Sequence, residues 1–189
     1  MKDLQRIGVK FFASDPSSIR VREFVPIFHS WIQKQCVPDH LLIDVHDYSH
    51  IQNGPGILLV AHEGNFSTDL DGGRMGLAYY RKQTVAGSLD ERLAAMLKTA
   101  IHACTLLESE PTLDGRLRFR TDEILLVAND RLLAPNDAAS VTDLLPAVSS
   151  VLAGFTATPA SDNPKERFAV RLHNKESRSV RELLNQLSK

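Results

Sequence analysis

Cysteine and aromatic residues are scarce in this chain. Its 189 residues include two cysteines, Cys36 and Cys104, and only 6% are aromatic. Two cysteines cannot build the disulfide framework of a small secreted domain, so we expect both to be reduced thiols. No apolar run approaches the roughly 20 residues that a membrane-spanning helix needs, and the opening MKDLQR has no signal-peptide core. These absences predict a cytoplasmic protein without a membrane segment.

An excess of charge of either sign is also absent. The 22 Lys and Arg residues nearly balance the 23 Asp and Glu residues, for a formal net charge of −1. A chain this close to neutral has little long-range attraction to nucleic acid or anionic lipid. We therefore expect no nucleic-acid partner. The 43% hydrophobic and 24% charged residues are typical of a globular protein, and the length fits a single domain over residues 1–189.

Alternating and apolar segments predict the strands. Ile7, Val9 and Phe11 alternate with Arg6, Gly8 and Lys10, as in a strand with two different faces. Residues 57–61 and 124–128 are apolar on both faces, so we expect these two strands to be central. We predict a hairpin of residues 116–120 and 123–129, and a loop over residues 156–165.

Helical periodicity and capping residues predict the helices. Apolar residues recur at helical spacing over residues 23–35 and 89–109, and a third helix is expected over residues 137–153. Ser88 with Glu91 has the spacing of a capping box at the start of the long helix. Ser179 with Glu182 has the same spacing before a short final helix.

This order of elements predicts an α+β protein. We expect a single, mostly antiparallel sheet with the helices packed mainly on one face. Residues 57–63 (ILLVAHE) resemble residues 124–130 (ILLVAND), which predicts a duplicated β-α-β-β unit followed by α-β-α. A face without helices would leave Leu58, Val60 and Leu126 in need of cover. We therefore expect a homodimer, the commonest closed assembly.

Polar side chains cluster between residues 44 and 71 and again after the strand at 124–128. The first cluster includes His46, Asp69 and Asp71. We select as ligand-pocket candidates Asp44, Asp47, His50, His62, Glu63, Asn129, Asp130 and Arg131. If they form one pocket, His62 and Asp130 must lie within about 12 Å of each other, because a small-ligand pocket measures a few hundred cubic ångströms.

Imidazole and carboxylate groups in the first cluster are also metal ligands. However, a tight turn at Gly54-Pro55-Gly56 would place Ser49 opposite His62 and would put His50 on the other face of the sheet. We therefore predict no tightly bound metal and no cofactor. A weak metal site would use His62 and Glu63 with one residue of the 44–50 strand.

Several stretches together resemble an uncharacterised family of bacterial proteins. They are FHSWIQ at 28–33, LIDV at 42–45, GPG at 54–56, FRTDE at 119–123 and NDRLLAPN at 129–136. The resemblance implies a compact bacterial cytoplasmic protein and no particular activity, ligand or catalytic residue.

Two functions stay open at this point. The first is a soluble module that binds a small molecule or assembles with a partner, without catalysis. The alternative is an enzyme whose polar pocket, with or without a weak metal site, is built from the cluster at 44–71 and the turn at 129–131.

Overall fold

The computed structural model describes residues 1–187, which form one eight-stranded sheet and four α-helices. The strands are β1 (Ile7–Ala13), β2 (Leu42–Tyr48), β3 (Gly56–Ala61), β4 (Gly64–Ser67), β5 (Gly76–Arg81), β6 (Phe119–Ala128), β7 (Thr156–Pro159) and β8 (Ala169–His173). The helices are α1 (Phe24–Lys34), α2 (Leu89–Glu108), α3 (Ala138–Val151) and α4 (Val180–Leu187). The strand order is β2-β3-β4-β5-β1-β6-β8-β7, and every neighbouring pair is antiparallel. The predicted α+β fold with one antiparallel sheet is confirmed.

The helices pack on one face of the sheet, which we call the inner face. Helix α1 contacts β2 and β3, α2 contacts β1 and β5, and α4 contacts β6. The inner-face residues of β1, Val9 and Phe11, are paired with Tyr79 and Leu77 of β5, and all four belong to the hydrophobic core. Because side chains alternate along a strand, Gly8, Lys10 and Phe12 face the other way. We call that side the outer face.

Local sequence signals set the helix ends as predicted. The Ser88 side chain accepts a hydrogen bond from the Glu91 amide, and the Glu91 carboxylate accepts one from the Ser88 amide. Ser179 and Glu182 form the same reciprocal pair at α4. None of the helices in residues 1–187 is both long and apolar enough to cross a bilayer.

Both apolar strands lie inside the sheet, as predicted. β3 lies between β2 and β4, and β6 lies between β1 and β8. The assignment of one residue to a face was wrong: Leu126 pairs with Val9 and belongs to the core of the inner face. Leu58 and Val60 do lie on the outer face, where they are half-buried. The homodimer stays a prediction.

Three local expectations differ from the structure. The hairpin around residues 121–122 is one continuous strand, β6, which pairs with β1 on both sides of a β-bulge or irregularity between Phe11 and Ala13. The expected second β-α-β-β unit therefore has only one strand after its helix, and the tail adds a strand to read α3-β7-β8-α4. The loop predicted from residue 156 begins with the edge strand β7.

The β2–β3 connection is longer than a tight turn. Tyr48 pairs with Gly56, so residues 49–55 form the loop and the predicted register was wrong. Gly56 has a φ of +61°, as the turn chemistry predicts, and a Cβ there would lie 2.4 Å from the Thr68 hydroxyl oxygen. A residue other than glycine would be strained and would clash at this position.

Candidate functional site

The outer face carries charged side chains at positions where the inner face carries apolar ones. Lys10 of β1 alternates with Val9 and Phe11, and its side chain is only 4% exposed. Its ammonium group lies 2.5 Å from Oδ1 of Asp69 and donates a second hydrogen bond to the Asp71 carbonyl oxygen at 3.0 Å. A buried charge is stable only with such partners. The loop between β4 and β5 therefore folds over β1 because Asp69 meets Lys10 there.

A second charged cluster surrounds Glu123 of β6. Arg74 donates two hydrogen bonds to its carboxylate, at 2.7 and 2.8 Å, and Arg171 of β8 donates one at 3.0 Å. Arg120 lies 3.3 Å from the same carboxylate. The hydrogen bonds from Arg74, with those from Arg171 and the charge of Arg120, lower the pKa of Glu123 to about 2 despite its burial. Three arginines on one glutamate leave unused donor groups at the surface, since their side chains are 36–39% exposed.

An aromatic ring forms the floor between these clusters. Tyr80 of β5 lies directly opposite Gly8 of β1, and a Cβ on Gly8 would lie 2.3 Å from two carbons of the Tyr80 ring. The ring can lie flat over β1 only because position 8 is glycine. Burial raises the pKa of Tyr80, and the positive charge of Arg167 opposes this rise.

Two connected hollows cross the outer face, and together we call them the outer groove. Their volumes are about 610 and 440 Å³, and they share Asp69, Asp71, Tyr80 and Arg167. The basic side chains that line the groove on the outer face are Arg6, Lys10, Arg74, Lys82, Arg167 and Arg171. The acidic residues are Asp69, Asp71 and Glu166. The groove is therefore cationic in a chain whose net charge is −1, and clustered charge of one sign in a cleft attracts the opposite sign.

The side-chain oxygen of Asn65 in the groove has no hydrogen-bond partner among residues 1–187. Asn65 of β4 lies opposite Tyr80, and its Oδ1 atom is buried. Buried polar atoms are rarely left unpaired. A rotation of the Asn65 amide would bring this oxygen to the groove, where a ligand hydroxyl or amine could donate to it.

The candidates on and after β2 lie outside the groove. Asp44 is exposed on the outer face of the edge strand, and one of its oxygens lies 3.5 Å from His46 Nε2. Asp47 accepts a hydrogen bond from the Ser49 amide, and hydrogen bonding from Ser49 lowers its pKa. His50 is exposed in the loop that follows. These residues make local contacts at the end of β2 and in the loop after it, or face solvent there.

His62 and Glu63 form the turn between β3 and β4. His62 is exposed, while the Glu63 carboxylate accepts a hydrogen bond from the Leu41 amide at 2.8 Å. The 44–50 strand runs from this turn toward the opposite end of the sheet, since Leu42 pairs with Ala61 and Tyr48 with Gly56. Within residues 1–187, no three His, Cys, Asp or Glu side chains come together in an arrangement for a metal ion.

The candidates after β6 lie at the same end of the sheet as His62 but far across it. β4, β5 and β1 separate β3 from β6, which is four strand spacings or roughly 19 Å. His62 and Asp130 are therefore too far apart for one small pocket. Asp130 caps its own turn by accepting from the Leu132 and Leu133 amides, and Arg131 is exposed beside it. Asn129 alone among the eight candidates lines the outer groove.

The groove residues that the sequence reasoning missed have a weak signal in the sequence. Lys10 occupies a polar position of an alternating strand that turns out to be buried along its whole length, and the exposed Arg6 directly precedes this strand. A lysine between buried positions is the feature that points to a charged partner. Arg167 has no such signal, because it lies in the loop between β7 and β8 and reaches the groove only through the fold.

Comparison with known proteins adds no family to this description, since no family model matches the chain and no curated protein is similar to it.

Proposed function

We propose that this protein binds a small anionic polyhydroxy compound in the outer groove, without chemical change to it. The observation that carries the proposal is the gathering of six basic side chains around one groove of a chain whose overall net charge is −1. The ligand class is a phosphorylated or carboxylated sugar or polyol.

Basic groups lie at both ends of the groove, and Arg167 lines both hollows. Arg6, Lys82 and Arg167 line the larger hollow, and within residues 1–187 none of them forms an ion pair with a carboxylate. Arg74 and Arg171 line the smaller hollow, and both form ion pairs with Glu123. Their guanidinium groups remain partly exposed and can also bind an anion. A ligand with an anionic group at each end satisfies both sets of cations.

The middle of the groove favours hydrogen-bond donors. Asp69 and Asp71 line both hollows, and ionised carboxylates accept hydrogen bonds from hydroxyl groups. The unpaired Oδ1 of Asn65 adds a third acceptor. A chain of hydroxyl groups between two anionic ends fits this sequence of charges.

The protonation states of the buried charged groups favour binding over catalysis. Lys10 is held by Asp69, and Glu123 is held by arginines with its pKa at about 2. A general acid or base works best with a pKa near the operating pH, and arginine does not release its proton in proteins. The alternative, an enzyme built from the cluster at 44–71 and the turn at 129–131, has less support because Asp69, Asp71 and Asn129 line the groove while the other candidates lie at separate places.

Titration calorimetry with a matched ligand pair tests the proposal. Fructose 1,6-bisphosphate is expected to bind and fructose is not, with affinity that falls as salt rises. Arg167→Gln and Arg6→Gln should each weaken binding about tenfold, the effect of losing roughly 1.4 kcal/mol. Arg131→Gln, which removes the same charge outside the groove, serves as the control. Equal weakening by Arg131→Gln, or no binding of phosphorylated or carboxylated polyols, would overturn the proposal.

A further inference from the structure

A separate cavity lies on the inner side of the sheet. It has a volume of about 490 Å³ and is lined by the segment after α1, the end of β5, one side of α2 and Leu184 of α4. This volume is in the range of small-molecule sites. Arg81 lines both this cavity and the larger hollow of the outer groove, but the other lining residues of the two are different. We call this inner cavity the side cavity.

A buried hydrogen-bonded pair forms part of its wall. The His40 ring lies with Nδ1 2.8 Å from the Pro38 carbonyl oxygen and Nε2 2.7 Å from the Tyr79 hydroxyl. The carbonyl can only accept, so Nδ1 carries the proton and Nε2 accepts a hydrogen bond from Tyr79. Burial lowers the pKa of His40 and raises that of Tyr79 to about 12. Both groups are uncharged near neutral pH and do not neutralise a nearby cation.

Arg81 is the cation beside the His40–Tyr79 pair. Its side chain extends to the inner side, where Nη1 lies 3.5 Å from the Tyr79 hydroxyl oxygen. Its Nε atom is buried without a hydrogen-bond partner, and no carboxylate of residues 1–187 lies within ion-pair distance. A partly buried guanidinium with an unpaired N–H is unfavourable unless an anion reaches it. Arginine presents its donors in a planar fork that fits a carboxylate.

Helix α2 adds two more basic groups to the same cavity. Lys98 and His102 are four residues apart, so they lie on one side of the helix, and both line the cavity. Lys98 forms no ion pair within the described part of the chain, and His102 lies 3.3 Å from the Cys36 carbonyl oxygen. Asp39 is the one acidic residue of the lining and is exposed.

The rest of the lining is mostly apolar and includes Val37, Val85 and Ala95. A site with basic groups on one side and apolar walls on the other favours a molecule that has an anionic group at one end and an apolar body. We propose that the side cavity binds a small organic carboxylate, whose carboxyl group pairs with Arg81 and Lys98 and whose apolar body packs against Val85 and Ala95.

A matched pair of compounds tests the requirement for a carboxylate. Titration calorimetry of the full chain is done with 4-phenylbutyrate and with 4-phenyl-1-butanol, which share the apolar body. We expect the acid to bind at least tenfold more tightly than the alcohol, and Lys98→Gln to weaken acid binding several-fold. Lys175→Gln, an exposed charge change far along the chain, is the control and should leave binding unchanged. Equal binding of acid and alcohol, or an unchanged affinity in Lys98→Gln, would overturn the proposal.

Histidine NMR signals test the location. The acid should shift the imidazole resonances of His40 and His102 and leave those of His173, on the outer face of β8, in place. Arg81→Gln should abolish both the binding and the shifts, with its thermal melting curve showing that it folds. If Arg81→Gln does not fold, Lys98→Gln and the histidine shifts still test whether the acid binds in the side cavity. Shifts at His173 alone would place the ligand elsewhere and contradict the assignment.

Discussion

The two faces of the sheet are equally well buried along β1 but are held by different interactions. On the inner face, Val9 and Phe11 are 1% and 0% exposed and touch other apolar core residues. On the outer face, Lys10 and Phe12 are both 3% exposed, and their cover consists of charged side chains. The Arg74 guanidinium lies 3.8 Å from the centre of the Phe12 ring. Burial alone therefore does not distinguish a core from a binding surface.

The difference follows from what covers each face. Helices present continuous apolar stripes to the inner face and exclude water from it. The outer face is bordered by two loops, residues 68–75 and 160–168, which contribute Asp69, Asp71 and Arg167 to its groove. Loops leave room between them, so the outer face keeps both a cavity and charged groups in contact with solvent. A ligand site needs this combination of open volume and solvent-accessible charged groups, and a packed core has neither.

The largest expected effect on stability is the difference between substitutions of the two phenylalanines of β1. Phe11→Ala should lower the free energy of unfolding by about 3–5 kcal/mol, because it leaves a cavity in packed apolar surroundings. Phe12→Ala should cost about 2 kcal/mol, because the long side chains of Arg74 and Lys10 can move into the space and remain hydrated. Urea denaturation measures both. Equal losses in the two variants would mean that the outer face is a second packed core.

The ion pair on the outer face gives the next effect. Asp69→Ala leaves the Lys10 ammonium buried without its partner and should lower the free energy of unfolding by about 3 kcal/mol. Lys10→Met added to Asp69→Ala should restore more than half of this loss, since the uncompensated charge is gone. The same urea series compares the three proteins. A double variant no more stable than Asp69→Ala would show that Asp69 acts mainly through the Asp71 amide, to which it is also hydrogen-bonded.

The smallest effect concerns pH and Glu123. Its pKa falls from 4.5 in the unfolded chain to about 2 in the fold, so its ion pairs stabilise the protein above pH 4.5. That stabilisation is lost as the pH falls from about 4.5 to 2. We expect it to be on the order of 2 kcal/mol, because the three arginines are partly exposed and screened by solvent. Unfolding in urea between pH 6 and 2.5 should show the stability difference between wild type and Glu123→Gln shrinking toward acid pH. A difference that stays constant over this range would contradict the assignment.

Local signals in the sequence predicted more of the fold than of the site. The capping boxes at Ser88 and Ser179 act between residues three positions apart, so their geometry needs no information from the rest of the chain. The register of β2 was missed because Gly54-Pro55-Gly56 has the residues of a tight turn, whereas the chain forms a loop over residues 49–55. The loop is held from outside, by the hydrogen bond of the Leu70 amide to the Gly54 carbonyl oxygen. Such a distant contact leaves no local pattern.

The eight predicted pocket residues show the same limit. They were chosen because polar side chains follow apolar strands, and seven of them cap turns, pair locally or face solvent at places apart from the groove. The polar residues that do meet, such as Lys10 with Asp69 and Arg74 with Glu123, are separated by 59 and 49 positions in the chain. Only strand order brings them together.

By itself, the sequence determined the four helices, most of the strands and the capped starts of α2 and α4, because these depend on periodicity and on hydrogen bonds between near neighbours. Tertiary structure alone decided that β1 lies between β5 and β6, and this placement made the outer groove. It brought Lys10 under the β4–β5 loop and Tyr80 over Gly8. The physical reason is that many strand orders satisfy the same local pairing rules. The packing of α2 across β1 and β5, which buries the apolar side of all three, selects one of them.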